Sequence, residues 1–493
     1  MKRLFKGSCF SILLFFVCFS YISCASNKLA REQADIDYSN KKYEKLEEYF
    51  ASENKNKDKI DLLIDEAMVK SIAGNYMESV GLFNEAYRQM EVLTGEMTAG
   101  DKILAGLVSE ESIKYSGPAY EYSLLDSMSA YNFIRLGDLD SARAMMRRSL
   151  NNNKEKFNSL KAAQKEFEAE SKAALNSGDT LSALSAFESV GESIPVDQLL
   201  NPENLAEGVE GNFEYQLSPF IFYLGSLLFA NDNNMSMADD WMKNVAHRLS
   251  PNVVKSVVDI PEGMGSLNVV SLADNIVRRQ EAVYDIPIFT DFLGVTLNFK
   301  LTWPFVPPSN NIVRDVYVKV RKAGCKEVVN KARSIIVEDF DNAVRLDVAS
   351  KASGAYSRSL IRNITRKSAA YVVAAAAMAV TFQQVSDDDS LLGLLLLQSQ
   401  ALALQAAITA IDAGEHADIR QGAFFPSKAR AAGLFLEPGL YDVTIDYVND
   451  GGRVINREVI PNVEVKEGIP SVVASEFINT GNFVISQAGD DYE

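Results

Sequence analysis

The spacing of apolar residues divides the chain into four successive parts. From residue 29 to about residue 249, apolar positions recur three and four residues apart, prolines are few, and charged residues fill the other faces, as in amphipathic helices. Near Pro251 the pattern changes to short runs rich in Val, Ile, Phe and Tyr, separated by Pro, Asn and Gly, which is typical of strands. Helical spacing returns at about residue 338 and lasts to about residue 412, after which strand-like runs resume. The pattern predicts an α+β multidomain protein with an N-terminal all-α part and a β-rich C-terminal part that carries a long Ala-rich helical insertion.

Three stretches of the helical part repeat one local pattern: a helix, a turn that contains Gly or Asn, and a second helix. The turns lie at residues 74–76, 137–139 and 231–234, and small and large residues alternate around them. Tetratricopeptide repeats (TPR) place small residues where two helices cross closely, so these stretches resemble degenerate repeats of that kind. A weaker fourth candidate surrounds Gly178. We expect TPR-like helical pairs, and the pattern leaves open whether they stack into a regular superhelix.

The strand-like and helical stretches suggest five segments. Predicted strands cover residues 265–270, 282–288, 294–303, 313–320 and 334–337 before the insertion, and 433–436, 441–448, 454–460, 463–465, 471–478 and 483–485 after it. A hairpin tip is expected at residues 449–452, where Asn, Asp and two Gly follow one another. The predicted division is a lipoprotein signal peptide at 1–23, a TPR-like helical-repeat domain at 24–250, the first part of a β-rich domain at 251–340, a helical hairpin insertion at 341–415 and the second part of the β-rich domain at 416–493.

The first 24 residues have the features of a bacterial export signal. Three basic residues within the first six precede an apolar run at residues 9–18, and Cys24 follows where a cleavage site is expected. A cysteine in this place resembles a lipobox, which predicts that the mature chain begins at Cys24 and carries acyl chains there. An ordinary secretory signal cut nearby is the alternative. Because Ala25 and Ser26 are not the Asp that retains lipoproteins in the inner membrane of some Gram-negative bacteria, we expect an outer-membrane anchor that faces the periplasm.

Charge and cysteine content narrow the possible partners. The net charge is −17, and it becomes about −20 without the three basic residues of the leader. Nucleic-acid binding needs a basic footprint, so we expect no nucleic-acid partner. Cys9 and Cys18 leave with the leader and Cys24 would carry lipid, so only Cys325 remains and no intramolecular disulfide can form. Cys325 lies in a strand-like stretch, where we interpret it as a buried or bystander residue.

The sequence contains no pattern typical of a catalytic, cofactor or metal site. Its two histidines, His247 and His416, have no second His or Cys nearby, whereas zinc sites need clustered ligands. A phosphate-binding Gly-rich loop and a GxSxG nucleophile turn are both absent from the sequence. Glu415 and Asp418 flank His416 and could orient it as a base, and the three Asp at 387–389 could bind Ca²⁺ weakly. Solvated helix ends and turns explain both features, so we predict no catalytic residue, cofactor or metal.

The helical insertion is the most unusual part of the chain. Arg358, Arg362 and Arg366 lie four residues apart and share one helix face, where they could bind an anionic partner or the protein's own carboxylates. Residues 369–382 are almost wholly apolar, and residues 391–411 are apolar apart from Gly, Gln, Ser and Thr. Three interpretations stay open: a buried hairpin packed on the β-rich domain, which we favour, a surface for self-association or a partner protein, and insertion into a bilayer.

Short phrases in the second half add a resemblance. Val-Glu-Asp-Phe at 337–340 leads into the Arg- and Ala-rich helix, Ala-Asp-Ile-Arg at 417–420 is followed by Pro426, and Leu-Glu-Pro-Gly-Leu-Tyr at 436–441 opens a strand. Together with the lipobox and the helical pairs, this order of parts resembles an uncharacterised family of bacterial lipoproteins with tetratricopeptide-like repeats and a C-terminal LPxGxY-type β region. The resemblance implies an envelope lipoprotein with no assigned reaction and with no catalytic residues to transfer.

These observations favour a non-catalytic protein-interaction scaffold in the cell envelope, anchored to a membrane through Cys24. The concave face of stacked helical pairs would bind envelope proteins or peptides. Two alternatives remain. One is an enzyme or carrier that acts on peptidoglycan or lipid, and the other is a subunit of an oligomeric envelope assembly, a possible homo-oligomer, that associates through the Ala-rich hairpin.

Overall fold

The protein is a mixed α+β structure in which one sheet lies between a layer of helices and a second sheet. The structure, a computed structural model, describes residues 30–96, 115–151, 169, 218–290, 295–384 and 390–478. The candidate repeat around Gly178, the leader with Cys24, and the predicted strand at 483–485 lie outside these residues.

The described N-terminal part is helical, as the apolar spacing predicts. Its helices are α1 (residues 30–39), α2 (Tyr43–Glu53), α3 (Ile60–Ile72), α4 (Tyr76–Glu96), α5 (Ala119–Leu136), α6 (residues 139–151), α7 (Pro219–Asn231), α8 (Met235–Met242) and α9 (Pro251–Val258). Helix–turn–helix pairs occur at the three positions that the sequence pattern indicates: α3 with α4, α5 with α6, and α7 with α8. Whether these pairs are tetratricopeptide-like stays a prediction.

The turns of the three pairs share one backbone geometry. Gly74, Gly137 and Asn233 have left-handed φ angles of 86°, 77° and 61°. The next residue in each turn donates its N–H to the carbonyl five positions earlier, at 2.8 to 2.9 Å: Asn75 to Lys70, Asp138 to Phe133, and Asn234 to Phe229. This is the Schellman pattern that ends many helices. Gly adopts it without a Cβ clash and Asn tolerates it better than most residues, which explains why these residue types stand at the turns.

Small residues let the paired helices approach closely. A Cβ atom at Gly225 of α7 would lie 2.0 Å from the ring of Trp241 on α8, so the indole lies directly against the backbone of α7. The Ser226 hydroxyl donates to the Ala238 carbonyl across the same pair, and the Ser79 hydroxyl donates to the Ala67 carbonyl across the first pair, both at 2.7 Å. The alternation of small and large residues in the sequence therefore has a packing cause.

The central sheet is buried on both faces. It consists of β1 (Gly265–Asn275), β6 (Ile335–Asp339), β7 (Pro426–Leu436) and β10 (Pro470–Phe477), in the order β10, β1, β7, β6. Val270 and Leu272 of β1 pack into a core shared with the helices, whereas Leu267 and Val269 pack against the second sheet. Alternate residues of a strand point to opposite faces, so residues 265–274 form a continuous buried run. The shared core joins residues on both sides of the predicted boundary at residue 250, which itself stays a prediction.

The second sheet covers the other face of the central sheet. Its strands β4 (Asp315–Lys322), β5 (Val328–Arg333), β8 (Gly439–Val448) and β9 (Val454–Val465) are antiparallel and follow the order β5, β4, β8, β9. Val316 and Val318 of β4 and Val443 and Ile445 of β8 point inward and are buried. The two sheets together form a β-sandwich.

The helical insertion follows β6 directly. It comprises α10 (Phe340–Gln384) and α11 (Ser390–Ala413), and α10 packs against α11, β7 and a two-stranded hairpin. That hairpin consists of β2 (Gln280–Thr290) and β3 (Val295–Phe305), which pair in register along their whole length. The start of α10, including Phe340 and Val344, is buried in the core between the helices and the central sheet.

The strand predictions differ from the structure in three places. β5 was not predicted, because its residues are mostly exposed and include Asn, Lys and Arg, so no apolar run marks it. The strand-like interpretation of Cys325 is wrong, since this residue is exposed in the turn between β4 and β5. The predicted strand at 433–436 is only the end of β7, and the two short strands predicted from 454 to 465 form the single strand β9.

Candidate functional site

Four elements lie side by side around the helical insertion. The rings of Trp303 on β3 and Tyr356 on α10 are 5.5 Å apart, and the Asn363 side chain donates to the Lys300 carbonyl at 2.8 Å. The two contacts are three residues apart on β3 and seven residues apart on α10, and both spacings amount to about 10 Å. Because the residue numbers fall along β3 as they rise along α10, the two elements are antiparallel, and the start of β3 lies towards Gln384. The described ends of β2 and β3 at 290 and 295 thus lie at the same side as the described ends of α10 and α11 at 384 and 390.

Along β2, β3, α10 and α11, the last charged residues before the described ends lie beside one another. Asp285 of β2 is paired in register with Lys300 of β3, and the Lys367 ammonium of α10 donates to the Asp412 carboxylate of α11 at 2.5 Å. The Lys300 ammonium also donates to the Asp412 carbonyl at 3.3 Å, so the two pairs adjoin. Beyond this level the sequence has no charged residue at 286–290, 295–299, 368–384 or 390–411. We call these four stretches the arm.

From residue 395 to residue 410, most side chains of α11 are exposed to solvent. Leu404 and Ile408 are buried, whereas Leu395 is 55% exposed and Leu402 is 63% exposed. On α10, Val373 is 71% exposed. The favoured sequence interpretation, a hairpin buried against the β-rich domain, is therefore correct for the first half of α10 and wrong for α11. Among the described residues, no helix combines the length and the apolarity that crossing a membrane requires.

The arginine stripe at the base of the arm serves the protein's own carboxylate. Arg362 is buried, and its guanidinium donates to Glu415, which is buried as well, at 2.5 Å. Arg366 lies 3.8 Å from the other oxygen of Glu415, and Arg358 is half-buried. The Ser359 hydroxyl donates to the same carboxylate at 2.8 Å. Of the three predicted arginines, Arg362 at least is not available to an external anion.

The residues around His416 do not form the base and acid pair that the sequence suggested. Glu415 points to Arg362, and the Asp418 carboxylate accepts hydrogen bonds from Arg420. His416 instead faces Glu281 of β2, with 3.4 Å between Nδ1 and the carboxylate oxygen. The residues that the structure describes contain no group of three His, Cys, Asp or Glu side chains arranged to hold a metal ion. Residues 387–389 lie outside the described residues.

Segment 421–425 crosses the helical layer and is bound there like a peptide. The Asp65 carboxylate of α3 accepts the backbone N–H groups of Ala423 and Phe424 at 2.6 and 3.1 Å. The Glu121 carboxylate of α5 accepts the N–H of Gly422 at 2.8 Å. Both carboxylates are buried, and buried charges need such partners. Sequence reasoning missed these two acids because no local pattern distinguishes them from other acidic residues of the helices.

The two phenylalanines of this segment fix it further. The ring of Phe424 stacks on Tyr38 with a centroid distance of 3.9 Å, and the guanidinium carbons of Arg31 and Arg278 lie 5.4 and 5.5 Å from its centroid. The ring of Phe425 stacks on Phe83 of α4 at 6.3 Å. The chain itself therefore occupies this part of the surface of the described helices.

The helical pairs also contact the central sheet with their first helices. The Arg135 guanidinium at the end of α5 donates to the Ala474 carbonyl of β10 at 2.8 Å. The Asn231 side chain at the end of α7 donates to the Pro470 carbonyl of the same strand at 2.9 Å. These contacts place the same side of the second and third pairs against the sheet.

Comparisons with known proteins identify no similar protein. No protein-family model matches the chain, and searches of the curated proteins and of the solved structures returned no match. Function therefore has to be inferred from the geometry.

Glu121 makes the stability of the fold depend on pH. Burial raises its pKa from 4.5 to about 7, although hydrogen bonds from Tyr115 and Gly422 act in the opposite direction. Between these two pH values the folded protein holds a proton that the unfolded chain has released. The free energy of unfolding should therefore fall as the pH rises from about 4.5 to about 7.

Over this pH interval the free energy of unfolding should fall less in the Glu121→Gln variant than in the natural protein. The difference should reach up to roughly 3 kcal/mol if the whole pKa shift is removed. Glutamine keeps the acceptor for Gly422 but has no proton to release. Urea-unfolding midpoints at pH 5 and pH 8 measure the effect, and Glu48→Gln at an exposed position of α2 is the control. Equal pH dependence in the Glu121→Gln variant and the natural protein would contradict this account.

Proposed function

We propose that the protein is a membrane-anchored, non-catalytic interaction protein of the cell envelope whose partner surface is the arm. In this proposal the chain is exported, acylated at Cys24, and held at the outer membrane facing the periplasm. The helical pairs are tetratricopeptide-like in origin and support the β-sandwich. The observation that carries the proposal is the exposure of α11, a helix with no charged residue from Ser390 to Ile411.

The exposed apolar residues of α11 indicate that a partner buries this helix. A large exposed apolar patch commonly marks an interaction site. Leu395, Leu396 and Leu402 of α11 and Val373 of α10 all expose more than 40% of their surface. Scattered exposed apolar residues need no explanation, but here they lie on two adjacent helices without charge between them. This concentration supports the arm as the partner surface.

The proposal moves the partner surface away from the helical pairs. Asp65 and Glu121 bind the backbone of segment 421–425, so a peptide partner would first have to displace the chain's own segment. The same contacts support a structural role for these carboxylates, because their acceptor positions are already engaged. The proposed function is therefore the scaffold function expected from the sequence, with the arm as the partner surface in place of the helical pairs.

Site-specific photo-crosslinking in intact cells tests the partner surface. The photoreactive amino acid p-benzoylphenylalanine replaces Leu402 in one variant and Val459 in the other, which is similarly exposed on β9 outside the arm. We expect protein adducts at position 402 and few at position 459. Adducts restricted to lipid at position 402, or equal protein adducts at both positions, would contradict the proposal.

Acylation is tested by incorporation of labelled palmitate. The natural chain and the Cys325→Ala variant should incorporate the label, because Cys325 lies in an exposed turn and plays no part in export. The Cys24→Ala variant should lose it, since no thiol remains at the lipobox. Incorporation into the Cys24→Ala variant would show that the anchor lies elsewhere.

A further inference from the structure

We infer that the arm associates with the arm of a second copy of this chain. The inference rests on the proposed function, in which the arm is the partner surface, and adds the identity of the partner. Three kinds of occupant could cover an exposed uncharged helix pair: lipid, a different protein, or the same arm from another copy. Charge and side-chain chemistry distinguish among them.

Lipid fits this surface poorly. Gln398 and Gln405 are exposed on α11, and their side-chain amides would give up hydrogen bonds to water if hydrocarbon covered them. The Ser399 and Thr409 hydroxyls already donate to the carbonyls of Leu396 and Gln405. In the sequence, Asp291 lies between β2 and β3, and three Asp at 387–389 lie between α10 and α11. Entering a bilayer would take these four carboxylates into or through the hydrocarbon layer, which is costly. A protein surface can instead pair with the amide and hydroxyl groups of α11.

The overall charge favours a second copy at this place. At a net charge of −17, two copies repel each other, and the repulsion is weakest where both surfaces carry no charge. A two-fold symmetric interface brings the same patch of each copy together, so it must be complementary to itself. The uncharged arm meets that requirement, whereas a strongly charged patch of one sign does not. The exposed small residues Ala403, Ala406, Ala407 and Ala410 permit close approach between helices.

The arm alone is small for a stable dimer. Its helices run side by side over about the 17 residues of the α10 stretch, which span about 26 Å, and two helices are about 20 Å wide, so one face measures roughly 500 Å². Stable interfaces bury about 800 Å² on each partner, so a second contribution is needed. Anchoring through Cys24 would confine all copies to one membrane with one orientation, which raises their effective concentration.

Cysteine crosslinking between two differently tagged full-length copies tests the inference in membranes of the producing bacterium. Leu395→Cys and Val459→Cys are made separately in a Cys325→Ser background, and both positions are 55% exposed. A short bismaleimide should join copies that carry both tags at position 395 and few at position 459. Adding Leu402→Glu should reduce the joined product by about tenfold or more, because a carboxylate would enter the apolar interface. Adding Val459→Glu to the Leu395→Cys protein should leave the product unchanged.

Each other outcome overturns the inference in a distinguishable way. Adducts at position 395 that contain another envelope protein but not the second tag would leave the proposed function standing and exclude the second copy. The absence of any adduct with the second tag at position 395 would overturn the inference, and protein adducts at position 402 in the photo-crosslinking experiment would then decide whether the proposed function stands. Equal crosslinking at positions 395 and 459 would indicate chance encounters in the membrane. Leu402 is largely exposed, so an unchanged thermal midpoint of the Leu402→Glu variant verifies that the variant is folded.

Discussion

The structure depends on the burial of β1 on both faces. A strand with ten consecutive buried residues needs two covers, and the chain supplies them from distant segments: the helices on one face and the second sheet on the other. β10, which comes near the end of the described chain, pairs parallel to β1 and completes the central sheet. Because the sheet takes up one side of the helical layer, the described helices are part of the core.

This arrangement changes what the helical pairs can do. In a free-standing repeat array, an extended concave surface is available to partners. Here the described helices bind segment 421–425 and β10 through buried carboxylates, stacked rings and backbone carbonyls. The interaction surface that we propose is therefore the arm, whose base is fixed by the buried pair of Arg362 and Glu415. A buried ion pair of this kind is costly to break, because either partner alone would be an uncompensated buried charge.

The sequence predicted the mixed α+β content and most of the described elements because their signals are local. Helical spacing, the Gly and Asn turns at 74, 137 and 233, and the alternation in β8 each arise from neighbouring residues. β5 and the position of Cys325 escaped prediction because an exposed edge strand has no buried face to mark it. The roles of Asp65 and Glu121 could not be predicted, since their partners lie about 300 to 360 residues away in the chain. The exposure of α11 was missed for a similar reason: its composition resembles that of a buried helix, and only the tertiary structure shows the uncovered faces.

The central claim is that the arm is covered in the working protein, and thiol reactivity tests it most directly. Leu402→Cys and Val459→Cys in a Cys325→Ser background are treated with a hydrophilic maleimide in opened membranes, and their labelling rates are compared. In the isolated chain, Leu402 is 63% exposed and Val459 is 55% exposed, so an uncovered arm would react at least as fast as the control position. The account predicts markedly slower labelling at position 402 than at position 459. Labelling at position 402 that equals or exceeds the rate at position 459 would contradict it.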